Sequence, residues 1–362
     1  MNVAFLTTTF ENTTNGPAKF ARLINKHPGF NNKKVVIFTE DISQNYQDVV
    51  KVKIPSLLNF SGVGFLYRLF AYFFKVIRYP GVEVVVSNNT MYGFLFHLFS
   101  RKKVVGFIND DQHIVPAFQL KYSALRSYIF SKLEKFALKR NDITVVNSKH
   151  LHQTLSSAYE VPSDKIFTLY KGIEIEKNKK LCLDKHEEDE MFRVLFVKTN
   201  YKIGGLYYLL KALEGLNGVH LDIVTSPRVK KSRLVKLARN CESVKFYHNL
   251  PQSSVFDLMD KAHCLCIPSE KEALGVANME GMYHGCAILS TNVGGIPEVL
   301  DYGNAGILVP FGDENILREK LLYLMNNREI RMQYVLKGFE AVQRFSIQNS
   351  IKSFYQMLDL VK

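Results

Sequence analysis

Cysteine is scarce in this chain and badly placed for bridging. Cys182, Cys241, Cys264, Cys266 and Cys286 are odd in number and include no CxxC pair, which argues against a disulfide framework or a zinc site. Cys264 and Cys266 stand two apart in an apolar run; on a strand they share one face, as buried core thiols do. Long apolar runs are also missing. The nearest, FLYRLFAYFFKVI, is broken by Arg68 and Lys75 and falls short of a membrane span. The opening residues MNVAFLTTTF lack the basic leader and extended apolar core of a signal peptide, so a cytoplasmic protein is expected. No short-period repeat is present. Acid is in deficit: 34 Asp and Glu face 47 Lys and Arg, a formal charge of +13. That excess suits nucleotide phosphates, nucleic acid, an anionic membrane surface or a merely solvated basic face, and does not choose among them.

What is present is core material. A hydrophobic content of 47% over 362 residues describes a soluble globular chain of about two domains. NVAFLTT, KVVIFTE, VVKVKI, VEVVVS, KVVGFI and DITVVN read as strands, apolar enough to be covered on both faces. Helical patterns lie between several of them, such as PAKFARLINKH with Pro17 near its start. The charged stretch EIEKNKKLCLDKHEEDE then interrupts the pattern and reads as a linker. FRVLFVK, VHLDIV, VKFYH, HCLCIP, CAILST and GILVP form a second series. Two consecutive βαβ series predict an α/β chain of two Rossmann-like, doubly wound parallel-sheet domains facing a cleft. The expected bounds are 1–175 for the first domain, 176–190 for the linker and 191–339 for the second.

Ligands of such sheets bind outside the carboxyl ends of the strands. One stretch there is specific: SEKEALGVANMEG, with Glu272 and Glu280 separated by seven residues. HCLCIP ends a strand, Ser269–Leu274 forms a loop, Gly275 permits a tight turn, and VANMEGMYHG reads as a helix closed by Gly285. The free amides of that helix start are a seat for phosphate. Glu272 stands beside the seat and Glu280 lies one to two turns deeper, on a similar helix face to Val276 and His284. An anion flanked by two hydroxyl-binding acids suits a nucleotide diphosphate sugar. The alternative is a pair of solvated charges.

PSEKEALGVANMEGMYHGCAILSTNVGGIPEVL resembles the E-x7-E region of retaining glycosyltransferases of family 4, which have the GT-B fold. The following DYGNAGILVPFGD, with Gly294, Gly295, Pro297 and Glu298 before it, is similar too, and weaker likeness covers nearly the whole chain. The resemblance implies that Glu272 holds donor-sugar hydroxyls. It implies that the backbone of Ala273, Leu274, Gly275 and Val276 binds sugar and pyrophosphate, and that Glu280 binds the ribose. It implies no metal and no cofactor, with a UDP- or GDP-sugar as co-substrate. It also implies an acceptor-binding first domain completed by a C-terminal helix at about 340–362. The implied activity is retaining hexosyl transfer to a glycan or lipid-linked glycan in polysaccharide or glycoconjugate synthesis.

The sequence departs from that family in places. An arginine and a lysine usually follow the first strand of the second domain; here Thr199 and Gly204 fall at those positions, with Lys198 and Lys202 nearby as substitute cations. Asn109 stands where the family often has a histidine. It can hydrogen-bond a sugar hydroxyl or cap the next segment, and His113 follows a few residues on. Gly16, between the first strand and helix, marks either a close ligand approach or a plain turn. Asn249 and Leu250 in YHNLPQ would border the nucleotide base. A nucleotide-sugar-binding protein without turnover is the competing reading. No nucleic-acid motif supports a nucleic-acid partner. FLYRLFAYFFKVIRYP and LKYSALRSYIFSKLEKFALKR combine aromatics with cations, which suits either sheet-covering helices or peripheral attachment at the inner face of a membrane.

Overall fold

The computed structural model describes every residue except 12–15, 28, 31–32, 56–62, 110–123, 177–178, 180, 182, 184, 186–190, 232–233 and 362. Two compact units emerge: Met1–Lys171 together with Ile347–Lys362, and Gly172–Ser346.

The first unit is an eight-stranded sheet: β1 (Asn2–Leu6), β2 (Gly29–Phe30), β3 (Lys33–Thr39), β4 (Val49–Lys51), β5 (Val82–Ser87), β6 (Lys103–Ile108), β7 (Ile143–Val146) and β8 (Ile166–Thr168). The order is β2-β3-β1-β5-β6-β7-β8, with β4 also on β3. All pairings are parallel except that of β2 with β3. Strand periodicity sends alternate residues of β1 to opposite faces. Val3 and Phe5 enter one core with Phe20, Phe107 and Phe354, while Ala4 and Leu6 enter the other with Leu69, Tyr72 and Phe96. Both faces are covered, which is why these strands read as continuous apolar runs. The final helix, Ile347–Asp359, belongs to this unit: Phe354 lies 6.1 Å from Phe5 and 5.9 Å from Phe20, ring centre to ring centre.

The second unit is a six-stranded, all-parallel sheet of β9 (Phe192–Val197), β10 (Val219–Val224), β11 (Ser243–Tyr247), β12 (Cys264–Ile267), β13 (Ala287–Thr291) and β14 (Ile307–Val309), in the order β11-β10-β9-β12-β13-β14. The chain starts at β9, winds outward through β10 and β11, then returns to the other side of β9 with β12. The β9/β12 junction is therefore the switch point, where open α/β sheets leave a crevice. In the first unit the corresponding junction is β1/β5.

The second unit begins earlier than the charge pattern suggests. Ile173 N donates to Phe345 O at 2.9 Å, and Glu176 N to Tyr283 Oη at 2.8 Å. Within the charged stretch, Lys185 Nζ donates to the carbonyls of Met259 and His284. The described part of this stretch is thus fastened to the second unit by its lysines rather than fully solvated. Two strands, β2 and β8, have two and three residues and leave no readable apolar period.

Candidate active site

The loops after β9 and β12 meet at the switch point. Gly205, at the start of the helix Leu206–Leu213, comes so close to Pro268 that a Cβ on it would stand 1.9 Å from the Pro268 carbonyl oxygen. Glu270 N donates to Ile203 O at 2.8 Å, which ties the same two loops again. A third loop, after β13, closes on them. Gly295 N donates to Glu272 O at 3.3 Å, and Gly294 has a left-handed backbone (φ +56°) that only glycine adopts without strain. Glu272 is therefore clasped at its carbonyl by this loop.

Its side chain is turned to β9. Lys198 Nζ and Glu272 Oε2 form an ion pair, both side chains about three-quarters buried. Lys198 is fixed in turn by its backbone: its N–H donates to Val224 O at 3.1 Å, and its carbonyl accepts from Thr225 Oγ1 at 2.6 Å. Ala273 is half-buried and Leu274 buried. Gly275, left-handed at φ +95°, then reverses the chain into the helix Val276–Tyr283. The first intrahelical bond there is Asn278 N to Gly275 O, so the amides of Val276 and Ala277 precede the ladder. Val276 itself is 38% exposed at this helix start. Below it, Asn278 is buried with Oδ1 unpartnered, and Ser269 is buried with Oγ unpartnered.

Glu280 lies farther along the helix, where Gln252 Nε2 donates to its Oε1 at 3.2 Å. This links Glu280 to the start of the helix Gln252–Lys261, which follows the loop after β11. In that loop Asn249 is exposed in a left-handed conformation and Leu250 is half-buried. The inward group is their neighbour His248. Its Nδ1 faces Thr225 O at 3.0 Å and so donates, leaving Nε2 as a buried acceptor without a partner. His284 shares the Glu280 face: its N–H donates to Glu280 O at 3.0 Å, and both side chains meet the helix Gln252–Lys261. The helix ends at Tyr283, and His284 caps it, with Nδ1 2.7 Å from Asp260 and its ring stacked on Phe256.

The substitute cations are unequal. Lys198 is in the site. Lys202 is exposed on the turn Tyr201–Gly205, and Thr199 is exposed with its carbonyl bound by Ser226 N at 3.4 Å. Gly204 has no room for a side chain: a Cβ there would lie 2.7 Å from Phe196 Cζ and 2.8 Å from Lys198 Cγ.

In the first unit, Asn109 follows β6. Its Nδ2 donates to Asn88 O at 2.8 Å, its backbone carbonyl accepts from Asn147 Nδ2 at 3.0 Å, and its Oδ1 accepts from Lys171 Nζ. Desolvation pulls the Lys171 pKa down to about 7. Gly16 begins the helix Gly16–Lys26. Asp110 and His113 lie outside the described residues. Lys171, Asn147, Gln252 and His248 escape sequence reasoning. Asn147, His248 and Lys171 lie one to three residues past a strand and Gln252 opens the helix Gln252–Lys261; that position was the only signal. Among the described residues no group of three or more His, Cys, Asp or Glu is arranged to hold a metal, and no helix is long and apolar enough to cross a membrane.

Residues 30–177 match the profile described as Glycosyltransferase Family 4, and residues 179–340 match Glycosyl transferases group 1. An uncharacterized glycosyltransferase of Methanocaldococcus jannaschii is 25% identical over 307 residues, covering 84% of this chain and 83% of that protein. Among solved structures, a sucrose-phosphate synthase of Thermosynechococcus elongatus superposes with a TM-score of 0.80 at 16% identity, over 99% of this chain and 98% of that one. An Anabaena protein, HepE, solved with UDP-glucose, gives 0.73 at 13% identity, over 99% of each chain.

Proposed function

Because the chain belongs to the group 1 and family 4 glycosyltransferases, which are built on the GT-B fold, we propose that it moves a hexose from a nucleotide diphosphate sugar to an acceptor hydroxyl with retention at the anomeric carbon. One observation carries this reading: the Lys198–Glu272 ion pair stands at the β9/β12 switch point, with Glu272 in the loop that leads into the helix starting at Val276. A diphosphate seated on that helix start takes over the Lys198 ammonium. Glu272 is thereby released to accept hydrogen bonds from sugar hydroxyls. The pair is a ligand-shaped charge balance already made in the protein alone.

In the transfer, the acceptor oxygen forms a bond to the anomeric carbon as the bond from that carbon to the diphosphate oxygen breaks. The acceptor proton passes to the departing phosphate. Lys198 and the Val276 and Ala277 amides offset the charge that grows on the leaving group, the term on which such catalysis chiefly depends. Glu280 receives the ribose, and Asn249 and Leu250 border the base. The chemistry proceeds without a metal, and the acceptor is a glycan or lipid-linked glycan.

The competing reading, a binding protein without turnover, has one observation in its favour. Gly204 cannot carry a cation, so Lys198 alone, with exposed Lys202, replaces the usual pair. A panel of UDP- and GDP-sugars, with nucleotide release followed in chelator, separates the two. Release that falls at least about tenfold in Glu272→Ala supports the transferase. Equal rates for both proteins remove Glu272 from the site, and tight binding without release under any acceptor supports the binding protein.

A further inference from the structure

Four adjacent strands of the first unit end in a polar side chain: Asn88 after β5, Asn109 after β6, Asn147 after β7, and Lys171 three residues beyond β8. The carboxamides are linked along the edge by Asn109 Nδ2 to Asn88 O at 2.8 Å and Asn147 Nδ2 to Asn109 O at 3.0 Å. Lys171 Nζ joins the row by donating to Asn109 Oδ1.

Two groups remain unsatisfied. Asn147 is only 9% exposed, and its Oδ1 is buried with no partner. Buried polar atoms are nearly always hydrogen-bonded, so this orphan calls for a donor. Lys171 carries three N–H donors and one acceptor partner. Its ammonium lies 5.1 Å from the Phe20 ring centre and 5.2 Å from that of Phe107. No carboxylate among the described residues pairs with it; Asp110 and Asp111 lie outside them. The side chain keeps part of its surface open. A lysine present only to fix Asn109 would leave neither two free N–H groups nor a buried carbonyl oxygen on the next residue of the same row.

We infer that the edge formed by Asn109, Asn147 and Lys171 binds a hydroxylated oxyanion, such as an acidic sugar or sugar phosphate, with its anionic oxygens on Lys171 and a hydroxyl donated to Asn147 Oδ1. This inference rests on the reading of the chain as a transferase, and it gives the acceptor a chemical class: a polyol bearing a negative charge. Placed between two aromatic rings and short of counter-charge, the Lys171 amine gains most from a ligand that brings its own anion. A neutral sugar cannot supply it.

The test reads Lys171 directly in the full chain. Lysine side chains labelled with carbon-13 at Cε are titrated by NMR, and the Lys171 signal is assigned by its loss in Lys171→Met. Alone, the signal should titrate near the value of about 7 that desolvation sets. Saturating glucuronate or glucose 6-phosphate should raise that midpoint by about one unit or more, which corresponds to about tenfold tighter binding to the charged amine. Glucose should leave it unmoved. A larger shift with glucuronate assigns a carboxylate, and a larger shift with glucose 6-phosphate assigns a phosphate. Lys171→Arg should retain oxyanion binding that Lys171→Met loses, and Asn147→Leu should lose the preference for the hydroxylated anion over acetate or inorganic phosphate.

A free-state midpoint in the ordinary lysine range, as pairing with Asp110 or Asp111 would give, overturns the inference. So does a midpoint that neither oxyanion moves, or that glucose moves equally. Failure of the transferase reading is visible separately: no donor release with the Lys171 shift intact removes the transferase and leaves the site. Transfer to a neutral acceptor with no Lys171 shift removes only the site.

Discussion

At the scale of single residues, Lys171 sets a stability cost beside its proposed use. Its pKa of about 7 in the folded chain lies below the ordinary lysine value, because burial disfavours the ammonium. Between about pH 7 and pH 10.5 the unfolded chain therefore holds more protons at this residue than the folded one, and its contribution to stability rises with pH across that window. Below about pH 7 the full penalty applies. Methionine has a similar length and no charge to desolvate. Lys171→Met should therefore be more stable than wild type at pH 6.5 by roughly 2 kcal/mol or more, after a loss of about 1 kcal/mol for the unpaired Asn109 Oδ1. The advantage should shrink steadily toward pH 10. Urea melts of both proteins at pH 6.5 and 9.5 measure this, and a variant no more stable at the lower pH refutes the desolvation account.

At the scale of elements, the site consists of three strand-to-helix loops pressed together, and glycine sets how closely they approach. A Cβ on Gly294 would lie 1.7 Å from Glu272 O, so Gly294→Ala must displace the backbone that carries the acid. The left-handed φ adds about 1 kcal/mol of strain. Gly215 is the matched control: its φ is +70°, yet nothing lies within 4 Å of a Cβ there. Both variants should fold and lose a similar increment from the backbone. Only Gly294→Ala should lose activity, by at least about tenfold, since sub-ångström placement of charged groups governs such sites. Donor turnover and circular dichroism on the two alanine variants check this, and equal turnover in both would show that the clasp on Glu272 is dispensable.

The same loops explain what could be read in the chain beforehand. Apolar runs such as VEVVVS and CAILST are local signals, and they became β5 and, from Ala287 on, β13. The turn at Gly275 and the helix after it are local as well. The pairing of Lys198 with Glu272 spans 74 residues of sequence, and that of Lys171 with Asn109 spans 62. No period or motif announces such pairs; they follow from strand order, which places β9 beside β12 and β6 to β8 side by side. The family resemblance pointed to Glu272 through its motif. It offered nothing for Lys171 or His248, whose burial and missing partners are properties of the fold.

At the scale of the whole molecule, the charge of +13 stands beside an exposed apolar stripe. The stripe lies on the helix Val63–Ile77. Leu69, Tyr72, Phe73 and Val76 are buried against the first unit's sheet, while Leu66, Tyr67, Phe70, Phe74 and Ile77 are exposed on the outer side. The stripe continues onto Leu98 and Phe99, the latter 6.3 Å from Phe73 between ring centres. Lys75, Arg78 and Arg101 are exposed around it. The helix thus covers the sheet with one face and offers an apolar face ringed by cations with the other, the pattern of a segment that lies in an anionic lipid interface. The chain should therefore sediment with vesicles containing phosphatidylglycerol and much less with pure phosphatidylcholine. Each basic residue near the surface contributes about 1 kcal/mol, so raising salt from 0.1 to 0.5 M should release most of the bound protein. Phe70 and Phe74 are each 48% exposed, and Phe74 also packs on the core residue Phe73 at 5.5 Å. Replacing both by serine, with folding checked by circular dichroism, should abolish sedimentation while leaving donor hydrolysis in solution unchanged. Equal binding to neutral and anionic vesicles, or binding untouched by the double substitution, would assign the exposed stripe to another use.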